Sequence, residues 1–225
     1  MPIKVLIDRN IERNAITHRS ALMPRTIKWG LKDWSVAVLE RTPFPPRDDE
    51  AFRKEQLPFL ATVGELARES RINLFSSFEL SMERFRQKGN DQGYLGLNLL
   101  QDVIIQKVPS PINRSLVIGA FGHEIGTTEE EQMAFFRSVK DDRFQSIRTA
   151  VGEKHVDDAY HLWTAECSKL EAFLTMDQKF LRQVNQEKGK ISSPVGVFTP
   201  KSFCESLGKE PTDIEVISKK FPPFL

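Results

Sequence analysis

The sequence predicts an α/β protein, a three-layer α/β/α sandwich around a mainly parallel central sheet. Two observations carry this prediction. Short apolar runs of strand length, Ile3–Ile7, Ile72–Phe75, Ala172–Leu174 and Val195–Phe198, are separated by stretches with apolar residues at helical spacing. Strands alternating with helices favour a parallel sheet covered on both faces. The first run, Ile-Lys-Val-Leu-Ile, is also nearly apolar throughout, as a central strand buried on both sides should be. A chain of 225 residues, 40% hydrophobic and 28% charged, can bury a substantial core as one domain.

Each element has its own local reason. Ile3–Ile7 ends at Asp8 and reads as the first, central strand. Thr26–Trp29 and Trp34–Leu39 alternate and are expected to pair as a hairpin across Gly30–Asp33. Trp29 and Trp34 are expected to pack within it, with base stacking as the alternative. Thr42-Pro43-Phe44-Pro45-Pro46 breaks the chain. A helical pattern covers about Asp48 to Glu69, with Pro58 a kink or boundary. After the strand Ile72–Phe75, Ser76 or Ser77 can cap a helix to about Gln87 that buries Phe78, Met82 and Phe85.

Gly89–Gly96 reads as a loop, Leu97–Val108 as ambiguous between helix and strand, and Leu116–Phe121 as an extra strand. Thr127 or Thr128 with Glu130 or Glu131 forms a capping box before a helix to about Val139. Further helices are expected over Asp142–Ala150, over the segment bearing Asp158, over Gln178–Gln186 and over Lys201–Leu207. Residues 1–208 are expected to form the single domain, with insertions at about 12–48 and 89–132. Residues 209–225 are expected to be a loosely docked tail.

Charge and cysteine usage exclude several classes. No apolar run approaches the ~20 residues of a membrane helix, and Met1–Ile7 is too short for a signal peptide, so a cytoplasmic protein is expected. Cys167 and Cys204 match no metal-ligand spacing and are expected to be buried, reduced thiols. The net charge is only +1, yet Arg9, Arg13, Arg19, Arg25, Lys28 and Lys32 face a single acid, Glu12, over Arg9–Lys32. Arg84, Arg86 and Lys88 form a second basic group. Such groups suit a phosphate backbone, or simply a solvated surface.

The segment Asp157–Phe180 is the most telling. Val156, Tyr160, Trp163, Cys167 and Leu170 form one helical stripe, while Leu162 and Ala165 lie nearly opposite, in line with Asp158. A helix apolar on two sides packs on two sides. Asp158 is then a carboxylate held against the core, where charge is costly unless a cation compensates it. Asp177 follows the strand Ala172–Leu174, at the strand end where open α/β sheets place their ligand crevice. Two carboxylates in one crevice suggest a hard metal ion, and oxygen ligands without histidine or thiolate pairs suit Mg²⁺ or Mn²⁺.

Four acids recur at element ends: Asp8, Glu83, Asp158 and Asp177. In this order, with their local sequences, they resemble the PIN-domain nuclease family. The resemblance rests on Val5-Leu6-Ile7-Asp8-Arg9-Asn10 and on Ser77 with Glu83 six positions later. It continues through Asp158-Ala159-Tyr160-His161-Leu162 with Thr164-Ala165, then Leu174-Thr175-Met176-Asp177 with Phe180, and Val197-Phe198-Thr199-Pro200. Arg9 departs from the family pattern, which has a small hydroxyl residue there.

The resemblance implies a divalent-metal-dependent nuclease with Asp8, Glu83, Asp158 and Asp177 as catalytic metal ligands, Mg²⁺ or Mn²⁺ as cofactor, and single-stranded RNA as substrate. Asn10 and Thr175 would orient a ligand or a substrate phosphate, and Arg9 and Arg13 would meet the substrate. The family includes toxin ribonucleases, which would bring a protein inhibitor as partner, and its members often form homodimers; no membrane partner is expected. Alternatives stay open: Glu79 one turn before Glu83, Asp157 beside Asp158, and a capping role for Asp177. His161 is expected to pack or hydrogen-bond rather than ligate. A non-catalytic RNA- or protein-binding module of the same fold, its acidic site weakened by Arg9, is the competing function. A phospho-receiver-like domain lacks its acidic pair and late lysine.

Overall fold

In a computed structural model the described residues are 1–43, 50–86, 96–112 and 128–221. The expected strand Leu116–Phe121 and most of the expected loop Gly89–Gly96 lie outside them. A parallel sheet of five strands is flanked by helices on both faces, as the sequence predicts. In chain order the described strands are β1 (Ile3–Ile7), β2 (His18–Trp29), β3 (Lys32–Pro43), β4 (Ile72–Ser77), β5 (Ile105–Val108), β6 (Ala172–Leu174) and β7 (Gly196–Phe198). The helices are α1 (Arg9–Ala15), α2 (Glu50–Arg68), α3 (Phe78–Arg86), α4 (Glu129–Ser138), α5 (Asp142–Val151), α6 (Val156–Cys167), α7 (Gln178–Gln186), α8 (Lys188–Ile191), α9 (Pro200–Ser206) and α10 (Ile214–Lys220).

The sheet order is β5-β4-β1-β6-β7, and every pairing in it is parallel. The chain moves outward from β1 through β4 to β5, then crosses back to lay β6 and β7 on the other side of β1. The order therefore reverses between β1 and β6, and the carboxyl ends of those two strands are where open α/β sheets place their ligand crevice. Register pairs Val5 with Ala172 and Ile7 with Leu174. The pairing runs one residue past the strands, since Asp8 N–H donates to Leu174 O at 2.9 Å.

Strand side chains alternate between two cores, as the period of two requires. Val5, Ile7, Ile72, Leu74, Ala172 and Leu174 face α1, α2, α9 and α10. Leu6 and Phe173 face the opposite layer, built on Phe136, Phe144, Tyr160, Trp163 and Phe180. In that second layer Phe136 and Tyr160 stack with ring centres 4.5 Å apart. The capping box at Thr128 and Glu131 forms as expected, with Glu131 N–H donating to Thr128 Oγ1 at 3.1 Å.

Several expectations are corrected. Pro58 does not end α2, which runs through it. The missing N–H at Pro58 would have served the carbonyl of Lys54, an exposed residue that water can satisfy. In α3 Phe78 is 37% exposed, whereas Leu80, Met82 and Glu79 are buried. The hairpin is far longer than expected, its strands spanning His18–Trp29 and Lys32–Pro43 around a tight turn at Gly30-Leu31. Positive φ falls on Gly30 alone of the two turn residues, which a II′ turn places on glycine. Trp29 and Trp34 do not pack within it; they are 77% and 55% exposed.

The tail is not loose. Residues Ile214–Lys220 form α10, which packs on α2 through a fully buried Ile217. Cys204 is buried as expected, but Cys167, at the last turn of α6, is exposed. Among the described residues, no helix is long and apolar enough to cross a membrane.

Candidate metal centre

The crevice at the switch in strand order gathers the acids that the sequence singles out. Asp8 follows β1, Asp177 follows β6, Asp158 sits in the first turn of α6, and Glu83 lies on α3. Asp8 is 6% and Asp158 8% exposed. Ligand atoms of Asp158, Asp177 and His155 all lie within 4.8 Å of one another. Asp8 and Glu83 stand outside that set, but the charge of each raises the pKa of Asp158.

Asp8 is fixed by a compact hydrogen-bond set. Thr175 Oγ1 donates to Asp8 Oδ2 at 2.7 Å, and Asn10 Nδ2 donates to the same oxygen at 2.5 Å. Asn10 Nδ2 also donates to Thr175 Oγ1 at 3.0 Å, and Asn10 Oδ1 accepts from Met176 N–H at 2.8 Å. Thr175 Oγ1 accepts in addition from Asp177 N–H at 3.0 Å, which fills the hydroxyl's donor and acceptor capacity. Asn10 and Thr175 thus orient a ligand. Thr175 is fully buried and out of a substrate's reach, which corrects the expectation that it meets a phosphate.

Asp177 caps α7 as well, Oδ1 accepting from Lys179 N–H at 2.7 Å and Phe180 N–H at 3.0 Å. Glu83 Oε1 meets His161 Nε2 at 3.0 Å and lies 3.5 Å from Gln132 Nε2. Glu79 instead points at Ser110, whose Oγ donates to it at 2.8 Å and stands 2.8 Å from the Tyr160 hydroxyl. Arg9 is buried and ion-paired with Glu12 at 2.8 Å, so it does not face a substrate; Arg13 stays exposed.

The electrostatics are those of a pocket with too much negative charge. Burial pushes Asp8 up from 3.8 to about 6; the positive charge of His161 and the Thr175 hydrogen bond oppose this, and Glu83 adds to it. Burial likewise raises Asp158 well above the usual carboxylate range, with the charges of Asp8, Asp157, Asp177 and Glu83 adding. For His161, burial alone would lower the pKa. The charge and hydrogen bond of Glu83, with Asp8 and Asp157, outweigh it and lift the value to about 9. The imidazolium therefore supplies one positive charge at neutral pH, against several acids.

These donors fit a divalent cation. Buried carboxylates that repel one another are relieved by a central positive charge, and their oxygens suit hard ions. The ring nitrogen of His155, 3.3 Å from Asp158 Oδ2, qualifies the reading of an all-oxygen site and favours Mn²⁺ over Mg²⁺. Sequence reasoning missed His155, which stands just before α6 and belongs to no apolar stripe. Its offset of three from Asp158 was the available signal. Gln132 was missed too, since only tertiary packing of α4 brings it to Glu83. Comparison with family models, curated proteins and solved structures gives no match to this chain.

Proposed function

We propose that the chain is a divalent-metal-dependent nuclease that hydrolyses phosphodiester bonds, with single-stranded RNA as substrate. The carrying observation is the cluster of Asp158, Asp177 and His155, tied to Asp8 through the Thr175 hydroxyl, with the charge of Glu83 acting on Asp158. RNA rather than DNA rests on the resemblance to PIN-domain nucleases. A bound Mn²⁺ or Mg²⁺ supplies Lewis-acid chemistry and an acidified water at neutral pH.

The chain's own residues do the remaining work. Thr175 and Asn10 hold Asp8 in one orientation, and the α7 cap holds Asp177 through Oδ1. His161 and Gln132 position Glu83, and His155 braces Asp158. Arg13, exposed in the last turn of α1, is assigned to a substrate phosphate on this reading.

The test is cleavage of labelled RNA and single-stranded DNA with Mn²⁺, Mg²⁺ or chelator, comparing the native chain with Asp158→Asn. Metal-dependent cutting that disappears in the variant is expected. Cutting that is indifferent to chelation, or equal in the variant, overturns the proposal. The competing reading, a non-catalytic binding module, is favoured by the Glu83–His161 pair, which occupies one carboxylate. Undiminished RNA retention with no cleavage under any divalent metal would decide for it.

A further inference from the structure

The hairpin β2–β3 is the most exposed element of the described chain. Its strands are 12 residues each, they pair only with one another, and every residue from Leu22 to Ser35 is exposed. A two-stranded ribbon wet on both faces is at best marginally stable alone. This one nevertheless displays large apolar side chains, including Leu31 at the turn and both indoles. Such a display marks an interaction surface.

The charge and the aromatic geometry narrow the partner. His18–Pro43 carries Arg19, Arg25, Lys28, Lys32 and Arg41 against Asp33 and Glu40, an excess of three positive charges on a chain whose net charge is +1. Arg25 pairs with Glu40 at 2.9 Å, while Lys32 is exposed opposite Trp29 on the indole face and Lys28 lies on the other face, opposite Asp33. Two copies meeting through this arm would bring like charges together, whereas an anionic partner is complementary.

Register places Trp29 opposite Lys32 and Ile27 opposite Trp34, so the two indoles lie diagonally on one face. Diagonal neighbours are ~7–8 Å apart. That backbone separation is about two ~3.4 Å base steps, within the reach of neighbouring bases of one strand. Neither indole has an aromatic partner among the described residues. Unpaired bases offer their faces to such a platform; bases stacked in a duplex do not.

We propose that the β2–β3 hairpin is an arm that captures single-stranded nucleic acid, with bases stacking on Trp29 and Trp34 and a phosphate neutralised by Lys32 on the same face. This deepens the nuclease reading by giving the substrate a docking site away from the acidic pocket. It is nonetheless tested without cleavage.

The probe is a fluorescein-labelled mixed-sequence 20-mer, as single-stranded RNA, single-stranded DNA and duplex, titrated with the full chain in chelator. Single strands should bind at least about ten-fold tighter than duplex. Trp29→Ala/Trp34→Ala should weaken single-strand binding at least about ten-fold. Trp29→Phe/Trp34→Phe should keep most of it, which separates stacking from misfolding. Lys32→Gln should flatten the dependence of log affinity on log salt by about 0.7, the loss of one phosphate contact. Binding should also quench tryptophan fluorescence, a signal that belongs to the arm because Trp163, the third tryptophan, is 5% exposed in the core.

Affinity within two-fold of native in the alanine variant overturns the arm. So do equal binding of duplex and single strand, and a change of mass by light scattering in arm variants that leaves oligonucleotide binding intact. A chain that cleaves but ignores the tryptophan changes refutes the arm alone; one that binds through the arm but never cleaves refutes the pocket alone.

Discussion

Replacing Asp8 by asparagine removes a buried negative charge with almost no change of shape, and it should strengthen the metal-free fold at neutral pH. Asp8 titrates near 6 in the folded chain and near 3.8 when unfolded. A folded value above the unfolded one means that the native state binds the proton more tightly. The cost of ionising Asp8 is therefore fully present above about pH 6 and absent below about 3.8. A rise of that size corresponds to about 3 kcal/mol. The charge-assisted bonds from Thr175 and Asn10 exist only while Asp8 is ionised, and the Thr175 bond already acts within the folded value of about 6. The decisive quantity is thus the difference between two conditions. Urea unfolding in chelator should show Asp8→Asn gaining about 3 kcal/mol relative to native at pH 8 over its value at pH 3.5. In excess Mn²⁺ at pH 8 the order should reverse, since a cation bound to the native pocket stabilises it by mass action. A variant whose effect is the same at both pH values would refute the claim that Asp8 is held as a strained, desolvated charge.

Three further outcomes follow from the same geometry. His161 gains its proton affinity on folding, so its stabilisation is complete below about pH 6.5 and is lost as pH rises through about 9. His161→Gln should remove most of that alkaline decline, about 3 kcal/mol, as measured by urea unfolding at pH 6.5 and 9.5. His155→Ala should weaken Mn²⁺ about ten-fold or more and Mg²⁺ far less, read from thermal midpoints in metal titrations, because imidazole is a poor ligand for Mg²⁺. Equal losses for both ions would remove His155 from the ligand set. Ile217→Ala should cost about 2–5 kcal/mol in urea unfolding, and an unchanged midpoint would return α10 to the status of a loose tail.

What the sequence disclosed and what it withheld divide along physical lines. Local periodicity disclosed the sheet, because strands buried on both faces, such as Val5-Leu6-Ile7, carry an apolar signature in their own residues. It disclosed Asp158 for the same reason: an acid in a helix apolar on two sides is anomalous in place. The arm was visible only near its turn, since a ribbon wet on both faces has no reason to alternate polar and apolar residues along its length. The helix α10 was missed because only Ile217 of its seven residues is fully buried, with Ile214 packed beside it, too short a pattern to stand out. Contacts made across the fold left no local trace. Glu79 is buried because Ser110 and Tyr160 come to it, and His155 reaches the pocket only because β6 delivers Asp177 beside it. Arg9 looked like a substrate ligand from its place in a basic run, but its neighbour one turn on, Glu12, claims it.

The hydroxyl of Thr175 has a consequence beyond its own contacts. One oxygen atom ties the exit of β1 to the exit of β6, touching Asp8, Asn10 and the amide of Asp177 together. Neither acid can drift without disturbing the other, so the gap between them is set during folding rather than on ion arrival. Such preorganisation implies that loading should be fast and nearly free of backbone rearrangement. Removing that one hydroxyl, as in Thr175→Val, should loosen both carboxylates at once while leaving every charge in place.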